Sequence, residues 1–197
     1  VEQSLAHSCN IMFYEMGKKI SIDMLTDYAH RFGLGKKTNV LFSEKEGLIP
    51  SSAWKKRVKG ERWWPGETLS VSIGQSYLLV TPIQIARMIS SIFTGQLVTP
   101  RILMEEPIVQ EPLRISLETR KFLQQSMQKV VHQGTGQRVK TIKDIKIYAK
   151  TSTAQTSGMD KHDLGGEYLE HGWFVAYFSY KNEKPLTLVI LTEHSGT

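Results

Sequence analysis

Apolar residues recur at helical spacing in the first two thirds of the chain and alternate in the last third. Ile11, Met12, Phe13 and Met16 follow Asn10, a residue type that caps helix starts, which predicts a helix over residues 11–19. Ser21 starts a second helix. Ile22, Leu25, Ala29 and Phe32 line one side of it and Gly33 stops it. Thr81-Pro82-Ile83-Gln84 is a capping box with proline at the first helical position, and Ile85, Met88, Ile89 and Ile92 form a single stripe before Gly95. Another helix is predicted from Ser116 to about Gln133, with Leu123, Met127, Val130 and Val131 on one face and Gly134 as its stop. Residues 34–66 show no helical period. Gly35, Gly47, Pro50, Gly60, Pro65 and Gly66 punctuate them, so they read as a long connection of the kind that is often functional. Leu69-Ser70-Val71-Ser72-Ile73 then alternates briefly before Gly74.

Beyond residue 144 the period changes to two. Ile145, Ile147 and Ala149 alternate with Lys146, Tyr148 and Lys150, the pattern of a half-buried strand. Trp173–Tyr180 and Leu186–Thr192 are rich in β-formers and separated only by Lys181–Pro185, which predicts a hairpin. The chain therefore reads as one partial domain of α+β class. Residues 1–144 form a mainly helical part with the long loop 34–66, and residues 145–197 supply three antiparallel strands.

Composition narrows the class of molecule. The 197 residues are 40% hydrophobic and 22% charged, which fits a folded globular segment rather than a disordered one. The net charge of +6 admits nucleic acid, an anionic membrane surface or an acidic substrate as partner. However, the densest basic run, Lys55 to Arg62, reads as a solvated loop, and no nucleic-acid module accompanies it. Cys9 is the single cysteine, so no internal disulfide forms. The longest apolar runs, Trp173–Phe178 and Leu186–Leu191, fall far short of the roughly 18 residues that span a bilayer. The chain begins at Val1 without a methionine and stops at Gly196-Thr197 just after an apolar run, and it reads as a piece of something longer.

Two short segments carry chemistry. In Lys150-Thr151-Ser152-Thr153-Ala154-Gln155-Thr156, a lysine and hydroxyls at the end of a predicted strand can grip a carboxylate through charge-assisted hydrogen bonds. Ser8-Cys9-Asn10 stands at a helix entrance and taken alone is a helix cap. Neither His7 with Cys9 nor His162 with Asp163 makes a zinc set, which needs four ligands at recognisable spacings. His171 reads as structural or solvated, and Trp63 and Trp64 as packing residues.

The first segment resembles the Lys-Thr-Gly motif of penicillin-binding proteins and serine β-lactamases, with a Thr-Ala-Gln extension typical of the transpeptidases. Ser8-Cys9-Asn10 resembles their Ser-x-Asn motif and precedes it in the family's order. The residues between them extend the likeness over nearly the whole chain. Gly47-Leu48-Ile49-Pro50, Trp54-Lys55-Lys56, the run from Trp63-Trp64-Pro65-Gly66 through Gly74-Gln75-Ser76-Tyr77, Thr81-Pro82-Ile83-Gln84 and Val130 to Gly136 are similar to the class B, elongation-type penicillin-binding proteins.

The resemblance implies a penicillin-binding/β-lactamase-like transpeptidase fold, an antiparallel sheet with flanking helices, incomplete in this chain. It implies peptidoglycan D,D-transpeptidation through a serine acyl-enzyme. Ser8, Asn10 and Lys150 would be catalytic. Ser8 would relay a proton to the leaving amine, and Asn10 would contact the substrate backbone. Thr151, Ser152 and Thr153 would bind substrate, with the Thr153 N–H as an oxyanion donor. No metal or organic cofactor is implied. The implied partners are peptidoglycan stem peptides, β-lactams and cell-elongation proteins, with no nucleic acid. The implied location is the outer side of the inner membrane, held by an N-terminal anchor missing from this chain.

Two departures stand out. Ser152 occupies the position where the family usually has glycine, which puts carboxylate and β-lactam affinity in question. The nucleophile motif Ser-x-x-Lys has only two formal matches, Ser52 to Lys55 in the expected loop and Ser126 to Lys129 on an outer helix. Both follow Ser-x-Asn, whereas the family's order puts the nucleophile upstream, so the attacking serine is expected before Val1 and the closing helix after Thr197. A serine β-lactamase or β-lactam sensor and a non-catalytic cell-wall scaffold are the alternative readings.

Overall fold

The computed structural model describes residues 1–40, 43–156, 165–181 and 183–196. Its contacts divide the chain into two compact units. One combines Val1–Ser8 with Lys121–Thr197, and the other is the continuous stretch Cys9–Arg120.

The discontinuous unit holds the sheet. Helix α1 (Glu2–Ala6) opens it, and most of α7 (Leu117–Gln133) belongs to it. Strands β3 (Ile145–Ala154), β4 (His171–Tyr180) and β5 (Leu186–Thr192) form an antiparallel sheet in the order β3-β4-β5. Opposed residues across the β3–β4 ladder share a face, so Ile147, Ala149 and Thr151 lie with Phe178, Ala176 and Phe174. That face packs on α7. Val131, Ala149 and Ala176 are its fully buried centre, ringed by Val139, Ile147, Phe174 and Phe178. The small residues Ala149 and Ala176 let the helix approach the sheet closely. Lys150 and Ser152 alternate onto the opposite face with Val175 and Trp173.

The continuous unit is mainly helical: α2 (Asn10–Gly17), α3 (Ile22–Arg31), α4 (Ser52–Lys59), α5 (Pro65–Ser72) and α6 (Pro82–Thr94), then a two-stranded ribbon of β1 (Gln96–Val98) and β2 (Gln110–Pro112). Helix α6 has the expected capping box, with Thr81 and Gln84 bonded reciprocally, and Gly95 ends it at φ +77°. Gln84 is fully buried and also donates to the carbonyls of Lys36 and Glu46, pinning the preceding loop to the helix start.

The expected loop over residues 34–66 needs correcting, because α4 lies inside it. Ser51 caps α4 and Gly60 ends it in the left-handed region. The apolar stripe that would have revealed this helix is missing because its buried residue is Lys55, 2% exposed and paired with Glu67 at 2.6 Å and Glu61 at 3.4 Å. The brief alternation at Leu69–Ile73 is also helical as far as Ser72, with Ile73 as the C-cap. Thr68 and Val71, three residues apart, are its buried positions, and the Glu67 carboxylate accepts from the Trp64 N–H at the helix start. Cys9 rather than Asn10 occupies the N-cap of α2. The division expected at residue 144 follows helix and strand content, whereas the compact units part at Arg120 and Lys121, so α7 joins the strands it covers.

Candidate active site

Ser8 lies two residues beyond α1, immediately after the helix cap His7, with φ +53°. A serine in the left-handed region is uncommon, and such positions cluster at functional sites. Lys150 reaches it from the sixth position of β3, and its Nζ donates to Ser8 Oγ at 2.9 Å and to the Thr151 carbonyl. The two motifs read from the sequence, 142 residues apart, thus meet through their serine and lysine side chains.

Lys150 is half-buried, and desolvation pulls its ammonium down to about 8 from an ordinary lysine value. The group is therefore mostly charged at neutral pH and reaches balance between its two protonation states only near pH 8. It can donate to an anion when charged and take a proton when neutral.

Thr151 is held on its other side. Its hydroxyl and that of Thr135 lie 2.5 Å apart, and the Thr135 N–H donates to the Ala6 carbonyl at 3.1 Å. Thr135 is a positioning candidate that the motif reading did not single out, although it sits in the Gly134-Thr135-Gly136 run that carried part of the resemblance. Ser152 is exposed opposite Trp173, so the serine in place of the family's glycine is accommodated without strain. Thr153 lies opposite Gly172, where a β-carbon would come within 2.6 Å of Thr192 Oγ1. Asn10 belongs to the other unit, as the first residue of α2.

Both decoy pairs are engaged elsewhere. Ser52 sits in the first turn of α4 rather than in a loop. Its hydroxyl donates to Asp23 at 2.6 Å, while Lys55 is held by Glu67 and Glu61. Ser126 is fully buried and donates to the Phe122 carbonyl, and Lys129 pairs with Glu2. Neither lysine is available to take a serine proton.

Among the described residues no cluster of three or more His, Cys, Asp or Glu could hold a metal. His162 and Asp163 lie outside the described residues. His171 packs edge-on against His194, and its Nδ1 accepts the His194 N–H at 3.0 Å. Trp63 donates to Thr68 Oγ1 and packs edge-on to Tyr77, and Arg62 stacks 3.8 Å over Trp64. No described helix is long and apolar enough to cross a membrane.

Comparison with known proteins bears on the same segment. Among curated proteins, the peptidoglycan D,D-transpeptidase MrdA of Acinetobacter baumannii is 30% identical over 220 residues, matching 100% of this chain and 32% of its own length. MrdA of Salmonella typhimurium is 28% identical over 219 residues, with 100% and 35% covered. The chain thus spans about a third of the curated relatives it matches. Among solved structures, a complex of penicillin-binding protein PBP2 with MreC from Helicobacter pylori superposes with a TM-score of 0.87 at 30% identity, covering 98% of this chain and 36% of that one. PBP2 of Pseudomonas aeruginosa in complex with WCK 5153 gives 0.81 at 29% identity, with 98% and 44% covered. Residues 1–196 match the family described as the penicillin binding protein transpeptidase domain. With the Ser8 turn bonded to Lys150 on strand β3, the α+β arrangement of helices on an antiparallel sheet, and relatives aligned along its whole length, the chain belongs to the penicillin-binding protein transpeptidase family.

Proposed function

We propose that the protein carrying this chain is a peptidoglycan D,D-transpeptidase that works through a serine acyl-enzyme, and that this segment supplies its carboxylate-binding and proton-relay groups. The 2.9 Å contact between Lys150 Nζ and Ser8 Oγ carries the reading. A charged lysine beside a hydroxyl polarises it for proton transfer.

In the proposed reaction, a serine outside this chain attacks the carbonyl of a D-alanyl-D-alanine stem. The tetrahedral oxyanion is held in part by the Thr153 N–H. Losing such a donor typically costs about 10²–10³ in rate. As the carbon–nitrogen bond breaks, Ser8 passes a proton to the departing D-alanine amine and takes up the one released by the attacking serine, so that Lys150 stays an ammonium throughout. An amine of a second stem then takes the acyl group and frees the serine. Lys150 as ammonium, with the hydroxyls of Thr151 and Ser152, grips the terminal carboxylate. Asn10 contacts the substrate backbone. β-Lactams acylate the same serine. The proposed setting is the outer side of the inner membrane, on an N-terminal anchor and among cell-elongation proteins. A PBP2 relative solved with MreC supports that choice of partners.

Fluorescent penicillin tests this. The full-length protein should be labelled, the Ser8→Ala protein should be labelled at least tenfold more slowly, and the 197-residue chain alone should remain unlabelled. Labelling of the chain at Ser52 or Ser126 would overturn the assignment. Rapid turnover of a chromogenic β-lactam by the full-length protein, without a persistent acyl-enzyme, would replace it with a β-lactamase.

A further inference from the structure

Within the discontinuous unit, three short bonds close a ring through both motifs. Lys150 Nζ donates to Ser8 Oγ at 2.9 Å. The hydroxyls of Thr151 and Thr135 lie 2.5 Å apart. The Thr135 N–H donates to the Ala6 carbonyl at 3.1 Å, and Ala6 is two residues from Ser8. Thr135 contributes the one side chain of the ring that lies outside both motifs, and it touches the segments that carry each of them.

The local sequence is built for that contact. The N–H groups of Gly134 and Gly136 both bond the Val130 carbonyl, at 3.2 and 3.0 Å, which turns the chain sharply at the end of α7. A β-carbon on Gly134 would sit 1.9 Å from the Ala6 oxygen, so only glycine lets the α7 terminus press against the end of α1. Ala6 and Gly134 are buried, while Thr135 projects from between two buried glycines toward β3. Threonine hydroxyls on strands rotate among rotamers, and a fixed partner holds one of them.

We infer that Thr135 is a positioning residue for the transpeptidase reaction, latching the Ser8 turn and the Thr151 hydroxyl into one rigid frame so that Ser8 and Lys150 stay within hydrogen-bond reach. This rests on the transpeptidase reading. The latch acts through Ser8, Lys150 and Thr151, and Thr135 itself need not touch substrate. Small misplacements of reacting groups are costly, and the net worth of one hydrogen bond corresponds to about a two- to tenfold rate change.

The test uses the full-length protein, with the rate of acylation by fluorescent penicillin measured across pH 6–10. Thr135→Val keeps the side-chain shape and removes the hydroxyl. It should slow acylation by about five- to tenfold. It should also move the alkaline limb of the profile upward, because loosening the ring admits water to Lys150. Thr135→Ser should keep both the rate and the limb. An unchanged rate in Thr135→Val, a serine variant as slow as the valine one, or a slower rate with an unmoved limb would each overturn the latch while the transpeptidase reading stands. Should the valine variant not fold, Thr135→Ala takes its place under the same criteria. A wild-type protein that penicillin does not label would overturn both.

Discussion

Lys150 is the residue whose environment matters most for the chemistry. Burial holds it at about 8 when folded, against about 10.4 for a free lysine. The sign of the stability effect follows from which state binds more protons. Below about pH 8 the lysine is charged in both states, and the folded protein bears the full cost of burying the charge. Between about 8 and 10.4 the unfolded chain binds more protons, so that cost lifts and stability rises with pH. Tyr177 is pushed up by burial first and by Tyr148 second, and it works in the opposite sense at higher pH. The lysine is therefore isolated by difference. The melting temperature of the unaltered protein should gain on that of Lys150→Met from pH 8 to pH 10, measured calorimetrically. The proposed carboxylate grip uses the ammonium form, so binding of the stem-peptide carboxylate should weaken over the same range.

At the scale of the elements, the clearest dependency is the contact of α7 with α1. Gly134→Ala must force apart a 1.9 Å approach to the Ala6 carbonyl, so the expected loss is about 1–3 kcal/mol, comparable to overpacking a core. In a domain of this size that lowers the melting temperature by roughly 2–4 °C per kcal/mol. Elements with a regular period were legible in the sequence: α3, α6, α7 and the three strands of the sheet lie where spacing and caps put them. Helix α4 was hidden because its inward position is Lys55, and a residue scan expects apolar side chains inside. The ribbon β1–β2 was hidden because three-residue strands show no period. The motifs were legible as chemistry, but the bond between Ser8 and Lys150 spans 142 residues and belongs to the tertiary fold. Thr135 was hidden for the same reason: its value lies in what Gly134 lets it reach.

For the molecule as a whole, the sheet face that packs on α7 is covered unevenly. Ala149 and Ala176 are fully buried, whereas Leu186, Leu188 and Ile190 on β5 remain 61, 40 and 44% exposed. An apolar strip of this kind on a sheet with an open edge promotes association. The 197-residue chain should accordingly self-associate at tens of micromolar, read by sedimentation velocity. Leu188→Lys should shift it toward monomer without loss of strand signal in circular dichroism.

The division of the chain into units also sets an order of events on the ribosome. Cys9–Arg120 is continuous and can fold as soon as it has emerged, but Val1–Ser8 must wait for Lys121–Thr197. At about 5–20 residues per second, the 142 residues between Ser8 and Lys150 take roughly 7–30 s to translate. Throughout that interval the Ser8 turn has no lysine beside it and α1 has no Thr135 to hold it. A copy truncated before β3 therefore carries Ser8 without its hydrogen-bond partner Lys150, and the Ser8 turn is tied down only once that strand has been made.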